Sequence, residues 1–237
     1  MGEQNLSVDP YGGKNPAYEY LRKKIITMTF APGTKVSENK ISAELQIGRP
    51  LVREGFSRLE EEGYIEVYPQ SGTRVSHMNM EKIRQGVEVH KVFEQAIARE
   101  VAEKGLTQEQ ERQIQEALYE DDKGKNEDDA WQIIMIEQKL WYLLAKFCDK
   151  QYIWNVYRGL DCDLYRLYHM QYSTYGYRSV SYSLTGAEYA RVEGKMLIDN
   201  IKRGDADAAA LVCTNRLSVA LMNAEALQKI YPSYFTE

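Results

Sequence analysis

Between residues 49 and 62, Val52, Phe56 and Leu59 recur at i, i+4 and i+7, while Arg49, Pro50, Arg53 and Ser57 fall opposite them. That spacing predicts a helix with one buried face, and Gly63 marks its end. Upstream, Ala17, Leu21, Ile25 and Met28 predict a helix across residues 15–30, with Arg22, Lys23 and Lys24 beside the stripe. Pro16 suits its first turn behind Asn15, and "APGTK" breaks it. "SENKISAELQI" predicts a second short helix with Ser37 as its cap, Asn39 and Lys40 on its surface, and Ile41 and Leu45 facing inward. Gly48 marks the turn that follows. Downstream the period changes to two: Ile65 and Val67 share a face, and Val75 returns to it across the loop Pro69-Gln70-Ser71-Gly72. This reads as a hairpin.

From Met78 onward the pattern is helical, with no convincing strand. Ile83, Val87, His90, Glu94, Ile97 and Val101 mark one face of a helix over 79–104 that Gly105 ends. A polar helix over 107–122 leads to the charged loop "DDKGKNEDD". "AWQIIMIEQKLWYLLAKFC" is apolar enough to be buried over much of its circumference. A Tyr-rich helix over 151–175 precedes the loop "SVSYSLTG", in which Thr185 can cap the next helix. Helices near 186–203 and 206–230 meet at Gly204-Asp205, a stop glycine and a capping aspartate. The fold class is therefore mainly α: a winged helix-turn-helix with a two-stranded wing over 15–77, then an all-helical bundle of about six helices over 78–237. Residues 1–14 read as a flexible leader, lacking the basic head and apolar middle of a signal peptide.

Composition fits soluble globular cores, with 43% apolar and 27% charged residues among 237. No apolar run is long enough to span a membrane. Cys148, Cys162 and Cys213 are few, odd in number and set in apolar patterns, which points to free thiols in a reducing cytoplasm. A net charge of −5 does not advertise a nucleic-acid binder. The first 78 residues, however, balance ten Lys/Arg against ten Asp/Glu, so a basic face is hidden in a neutral sum.

Arg49 and Arg53 on the exposed side of the third helix can reach guanine edges or phosphates. Gly72 at the wing tip allows close backbone approach. The bland alternative is a surface helix whose arginines keep one face wet; the order of elements and the Gly-containing wing weigh against it. The candidate DNA-binding set is Asn39, Lys40, Arg49, Pro50, Arg53, Ser57, Gln70, Ser71 and Gly72. The stretch "AELQIGRPLVREGFSRLEEEGYIEVYPQSGTRV" resembles the DNA-binding domain of the GntR family of bacterial transcription regulators. Arg49, Val52, Arg53, Glu54, Leu59, Glu62, Gly63, Gly72 and Val75 match its pattern. Gly48 replaces a small hydroxyl residue, Gly55 an alanine and Phe56 a leucine. Loss of that hydroxyl removes a phosphate contact.

The segments "VFEQAIAREVAE", "EQKLWYLLAKFCDKQYI" and "EGKMLIDNIKRGDADAAALVCTNRL" resemble the FCD-type sensor domain of the FadR-like branch of that family. Many such domains hold a divalent metal with an aspartate and three histidines. The resemblance places Glu137, Trp141, Gly194 and Arg216 at those positions, and His90 where an arginine is frequent. Only His77, His90 and His169 occur in the chain, so no three-histidine site can form in the bundle, and neither a metal nor another cofactor is expected. Arg216 then has two readings: it binds an anionic effector bidentately, with His90 as second donor and Trp141 packing the apolar part, or it pairs internally with Glu137. Tyr165, Tyr168, Tyr172 and Tyr175 form one stripe, read as core or dimer contact, with an aromatic pocket as the alternative.

The resemblance implies a homodimeric, metabolite-responsive repressor that binds a short inverted-repeat DNA operator, the bundle supplying dimerisation and the site for a small anionic or aromatic effector. One alternative is a constitutive DNA-binding dimer with a collapsed pocket. Another is an enzyme fused to a DNA-binding domain, for which no phosphate loop, nucleophile elbow or metal motif is present.

Overall fold

A computed structural model describes residues 15–119, 129–160, 162–174, 176–178 and 183–236. The leader 1–14, residues 121–128 of the charged loop, Tyr175 and residues 179–182 of the "SVSYSLTG" loop lie outside the described residues. Three helices open the chain: α1 (Pro16–Ile26), α2 (Glu38–Leu45) and α3 (Arg49–Glu61), with a short strand β1 (Lys35–Val36) between the first two. The wing strands β2 (Ile65–Tyr68) and β3 (Gly72–Val75) follow. Asn15 caps α1, its side-chain oxygen accepting from the amides of Ala17 and Tyr18, and its amide nitrogen donating to the carbonyl of Leu51 on α3. One side chain thus both starts α1 and docks it onto α3.

Several local expectations are corrected. Helix α1 ends at Ile26, not residue 30, because Met28 adopts a left-handed φ of 56°. Ser37 occupies the cap position of α2 without a side-chain bond. The left-handed turn between α2 and α3 falls on Gln46, φ 55°, while Gly48 is extended and precedes α3. The sheet has three strands in the order β1-β3-β2, with Lys35 opposite Arg74 and Val36 opposite Thr73. Val67 does not share the core with Ile65: it is 52% exposed against 1%. The distal half of the wing projects past the body of the domain and has no core beneath it. Gly63, at φ 80°, follows the end of α3 as expected.

The bundle comprises α4 (Met80–Lys104), α5 (Gln108–Tyr119), α6 (Asp129–Phe147), α7 (Gln151–Tyr157), α8 (Cys162–Thr174), α9 (Gly186–Lys202) and α10 (Ala206–Ile230). These are seven helices among the described residues, because the single helix expected over 151–175 breaks at a 3-10 turn, Arg158–Leu160. A second departure is the antiparallel pair β4 (Gly176–Arg178) and β5 (Ser183–Thr185), where no strand was expected. Thr185 and Glu188 form a reciprocal cap at the start of α9. Asp205 caps α10 through the amide of Ala208, behind a left-handed Gly204.

The core is shared across both parts of the chain. Tyr18, Leu21 and Ile25 of α1 belong to one apolar cluster with Ile83, Tyr165 and Leu217 of the bundle. A second cluster, with Phe93, Ile97, Leu144, Trp154 and Tyr157, fills the far end. Full burial of each such side chain contributes about 1.5–3 kcal/mol, so the winged helix is seated on the bundle rather than tethered to it. Arg22 of α1 lies buried at this seam, its guanidinium 5.8 Å from the ring of Tyr64 and 5.3 Å from that of Tyr165.

Candidate functional site

Two surfaces carry the sequence-derived residues. On the winged helix, Val52, Gly55, Phe56 and Leu59 turn one face of α3 into the core. Arg49, Pro50, Arg53 and Ser57 are exposed, as are Asn39 and Lys40 of α2 and Gln70, Ser71 and Gly72 of the wing tip. Arg53 donates to Glu38 at 3.2 Å on the surface, a contact that water and salt weaken. The wing turn is tightened by the amide of Ser71 donating to the carbonyl of Tyr68, with Gln70 and Gly72 both at positive φ. The result is an exposed helix start with two guanidinium groups, next to a compact loop that offers backbone amides.

The bundle holds a buried polar centre. Arg216 of α10 donates through Nη2 to both carboxylate oxygens of Glu94 on α4, at 2.5 and 2.6 Å. Its Nη1 lies 3.3 Å from Glu137 Oε1 on α6. The Glu94 side chain is 0% exposed, Arg216 11% and Glu137 17%. Tyr172 of α8 donates to both oxygens of Glu137. Tyr157 donates to Glu94 at 2.9 Å, so with its single proton committed it accepts from His90 Nδ1 at 2.8 Å. The rings of Trp141 and Tyr168 stand 6.0 and 5.7 Å from the Arg216 guanidinium carbon, within cation–π range.

Electrostatically the two glutamates diverge. Burial would raise Glu94, but Arg216 and then His90 outweigh it and hold the carboxyl below its usual range. Burial raises Glu137, and Arg216 offsets this only in part while Glu94 adds to it. Glu193 of α9, a third acid close to this centre, is pushed up to about 7 by burial. Burial acts against the charge of Arg216, but Glu94 and then Glu137 more than offset it.

This arrangement corrects the sequence reading of Arg216. It is neither an open anion receptor nor a partner of Glu137 alone; its principal partner is Glu94. His90 and Trp141 do line the same gap as Glu94, Glu137 and Arg216, and Gly194 borders an adjoining one with Glu137, Trp141 and Arg216. The set Glu137, Trp141, Gly194 and Arg216 does not fit a divalent metal, because a glycine and an indole supply no inner-sphere lone pair and a guanidinium occupies the space between the carboxylates. Glu94, Gln138, Tyr157 and Glu193 were missed as site residues. The signal for Glu94 was a carboxylate in the middle of the apolar α4 stripe. Three small gaps surround this centre, one beside His90 and Trp141 and the others on the Gly194 and Tyr189 sides. They are narrow, and before any side chain moves the first admits about one water-sized group.

A winged helix with an exposed arginine-bearing face, seated on a helical bundle with a buried polar centre, has the architecture of a DNA-binding regulator. The comparisons agree. Residues 14–75 match the family described as bacterial regulatory proteins, gntR family, and residues 85–218 match the FCD domain. The chain belongs to the GntR family of transcription regulators and carries an FCD domain. It is 30% identical over 158 residues to the HTH-type transcriptional repressor RspR of Escherichia coli (strain K12), a match spanning 65% of this chain and 68% of that protein. Among solved structures it is similar in fold to E. coli McbR/YncC, with a TM-score of 0.68 and 16% identity over 91% of this chain and 96% of that one. It is likewise similar to a GntR transcriptional regulator from Rhodococcus sp. RHA1, with a TM-score of 0.65 and 22% identity over 89% and 95%. Among the described residues no helix is long and apolar enough to cross a membrane.

Proposed function

We propose that this DNA-binding transcription regulator acts in the cytoplasm as a homodimeric, metabolite-responsive repressor and catalyses no reaction of its own. Residues 15–77 read a short inverted repeat, and residues 78–237 dimerise and hold the effector. The observation that carries the reading is the recognition face: all nine candidate DNA-binding residues are exposed, six of them on α2 and α3, whose opposite sides build the core. Arg49 and Arg53 supply the base-edge or phosphate contacts, Asn39, Lys40, Pro50 and Ser57 flank them, and Gln70, Ser71 and Gly72 approach the backbone from the wing.

Support for the dimer comes from α4 and α10, which lie side by side and are tied by Gln95 donating to Thr214 at 2.7 Å. Both leave apolar side chains in water: Val89 and Val92 on α4, Leu211 and Met222 on α10, at 43, 72, 58 and 71% exposure. An apolar strip on two adjacent helices suits self-association, and two-fold symmetry suits an inverted repeat. The competing reading, a constitutive dimer with a filled pocket, draws on the internal pairing of Arg216.

Selection of duplexes from a random pool by the full-length protein, followed by mobility shift, tests the proposal. A recovered inverted repeat bound by two chains supports it. A single asymmetric half-site bound by one chain would overturn the dimeric reading.

A further inference from the structure

The chamber around Arg216 has a definite charge preference. Glu94 and Glu137 face one guanidinium, and Glu193 stands close enough to both Arg216 and Glu137 to feel their fields. An incoming carboxylate or phosphate would meet an arginine already engaged by two acids, and would add a further negative charge. A second observation points to a ligand. Gln138 of α6 is 2% exposed and lines the gap shared by His90, Glu94, Glu137 and Arg216, yet neither its amide nitrogen nor its amide oxygen has a hydrogen-bond partner among the described residues. A buried amide left this way is costly, and a bound polar group would relieve that cost. The gap is walled by the rings of Trp141, Trp154 and Tyr157, and Trp154 Nε1 is also without a hydrogen-bond partner among the described residues.

We propose that the effector of this regulator is an organic cation, a small amine in its ammonium form, held in the chamber by Glu137, the Gln138 carbonyl oxygen and the aromatic walls. An ammonium needs acceptors and ring faces, and those are the groups present. A divalent metal needs several inner-sphere lone pairs, and the positions that would supply them are Trp141 and Gly194. Arg216 already shows the preference: it is a cation resting between acids and aromatic rings. Glu137 is the less engaged of the two acids, because Arg216 bonds mainly to Glu94 and reaches Glu137 Oε1 only at 3.3 Å.

The inference rests on the proposed reading of the bundle as a sensor, and the test separates the two. Full-length protein is titrated by calorimetry and thermal shift with methylammonium and ethylammonium, and with acetate and propionate as partners of opposite charge. The expected result is a rise of several degrees in melting temperature with an ammonium and none with either acid. Glu137→Gln and Gln138→Leu, checked for folding by circular dichroism, should each weaken ammonium binding at least tenfold. Stabilisation by the acids alone, or by neither charge, overturns the proposal, and the wild-type comparison decides this even if both variants misfold. Operator affinity is then measured with and without each probe. Ammonium binding with no change in operator affinity leaves the site standing and removes the regulatory reading. A change produced by an acid does the reverse.

Discussion

The buried guanidinium of Arg166 on α8 donates to the backbone carbonyl of Ser76, the residue that leads out of the wing toward the bundle, at 2.6 Å. The same side chain pairs with Asp163 one turn earlier and approaches Cys162 Sγ. Asp163 in turn accepts from the amide of Asn79, so the linker 76–79 is gripped at both ends by α8. Helix α8 also carries Tyr165 against Arg22 of α1 and Tyr172 against Glu137 of the chamber. A change in the chamber thus has a continuous packed route to the DNA-binding part.

Arg166→Met should destabilise the folded chain by about 3–5 kcal/mol, because Asp163 is left as a buried acid with no cation. Adding Asp163→Asn should recover part of the loss, since the two act as one unit. Urea unfolding of the single and double variants measures both. Additive losses would show that Arg166 and Asp163 are not energetically coupled.

Gly55→Ala is expected to destabilise, although alanine is the better helix former by about 1 kcal/mol. A Cβ at this position would meet the amide nitrogen of Tyr18 at 2.9 Å, Asn15 Oδ1 at 3.0 Å and Ala17 Cβ at 3.2 Å. Those atoms belong to the cap that docks α1, and backbone cannot move aside cheaply. Overpacking costs about 1–3 kcal/mol, so a net loss of melting temperature is expected. A gain would mean that α1 sits farther from α3 than described.

On the recognition face, Arg49→Ala and Arg53→Ala should each weaken operator binding by about 1–3 kcal/mol if they read base edges. A phosphate contact would instead weaken all sequences alike and reduce the salt slope by about one unit. Glu38→Ala, which frees Arg53 from its surface pair, should change affinity far less. If neither arginine variant affects binding to a selected site, the reading of α3 is wrong.

Much of this was legible in the sequence because it is local. The period of Val52, Phe56 and Leu59 gave α3, and Gly63 and Gly204 announced their stops. What stayed hidden is either too short or too distant. Strand β1 has two residues, fewer than any alternation can mark, and is defined by its pairing with β3. The break after Tyr157 lies in a tyrosine-rich run whose average pattern is helical, so periodicity alone does not mark it. Glu94 stood out as an acid on an apolar face, but its partner Arg216 is 122 residues away. Arg166 similarly answers a backbone carbonyl 90 residues earlier, which no side-chain pattern encodes.

Glu193 supplies a pH test. Its carboxyl is raised from the ordinary 4.5 to about 7. Between those values the folded chain holds a proton that the unfolded chain has lost, so this contribution to stability is full below pH 4.5 and declines as pH rises to about 7. Glu193→Gln should remove that decline and stabilise the protein near pH 8 by roughly 2 kcal/mol, less where solvent screens the partly exposed acid. Melting temperatures at pH 5 and pH 8 check the sign. A larger gain at pH 5 would contradict it.

Arg216→Met reverses another slope. In the native chain Glu94 is held below its ordinary value, so its stabilising contribution is present above about pH 4.5 and is lost as pH falls through the lower folded value. Without the guanidinium, Glu94 and Glu137 are buried acids beside each other, and burial raises both. Their folded values then lie above the unfolded ones, and stability is greatest at low pH and lost as pH rises. The variant should be destabilised by about 3–5 kcal/mol at neutral pH, and acidifying toward pH 5 should recover a large part of it. Glu94→Gln added to Arg216→Met should restore stability at neutral pH, because one of the two unpaired charges is gone. Chemical denaturation of the three proteins across pH 5 to 8 makes the comparison. If Arg216→Met keeps native stability at pH 8, solvent rather than the guanidinium balances Glu94, and the chamber is open to water.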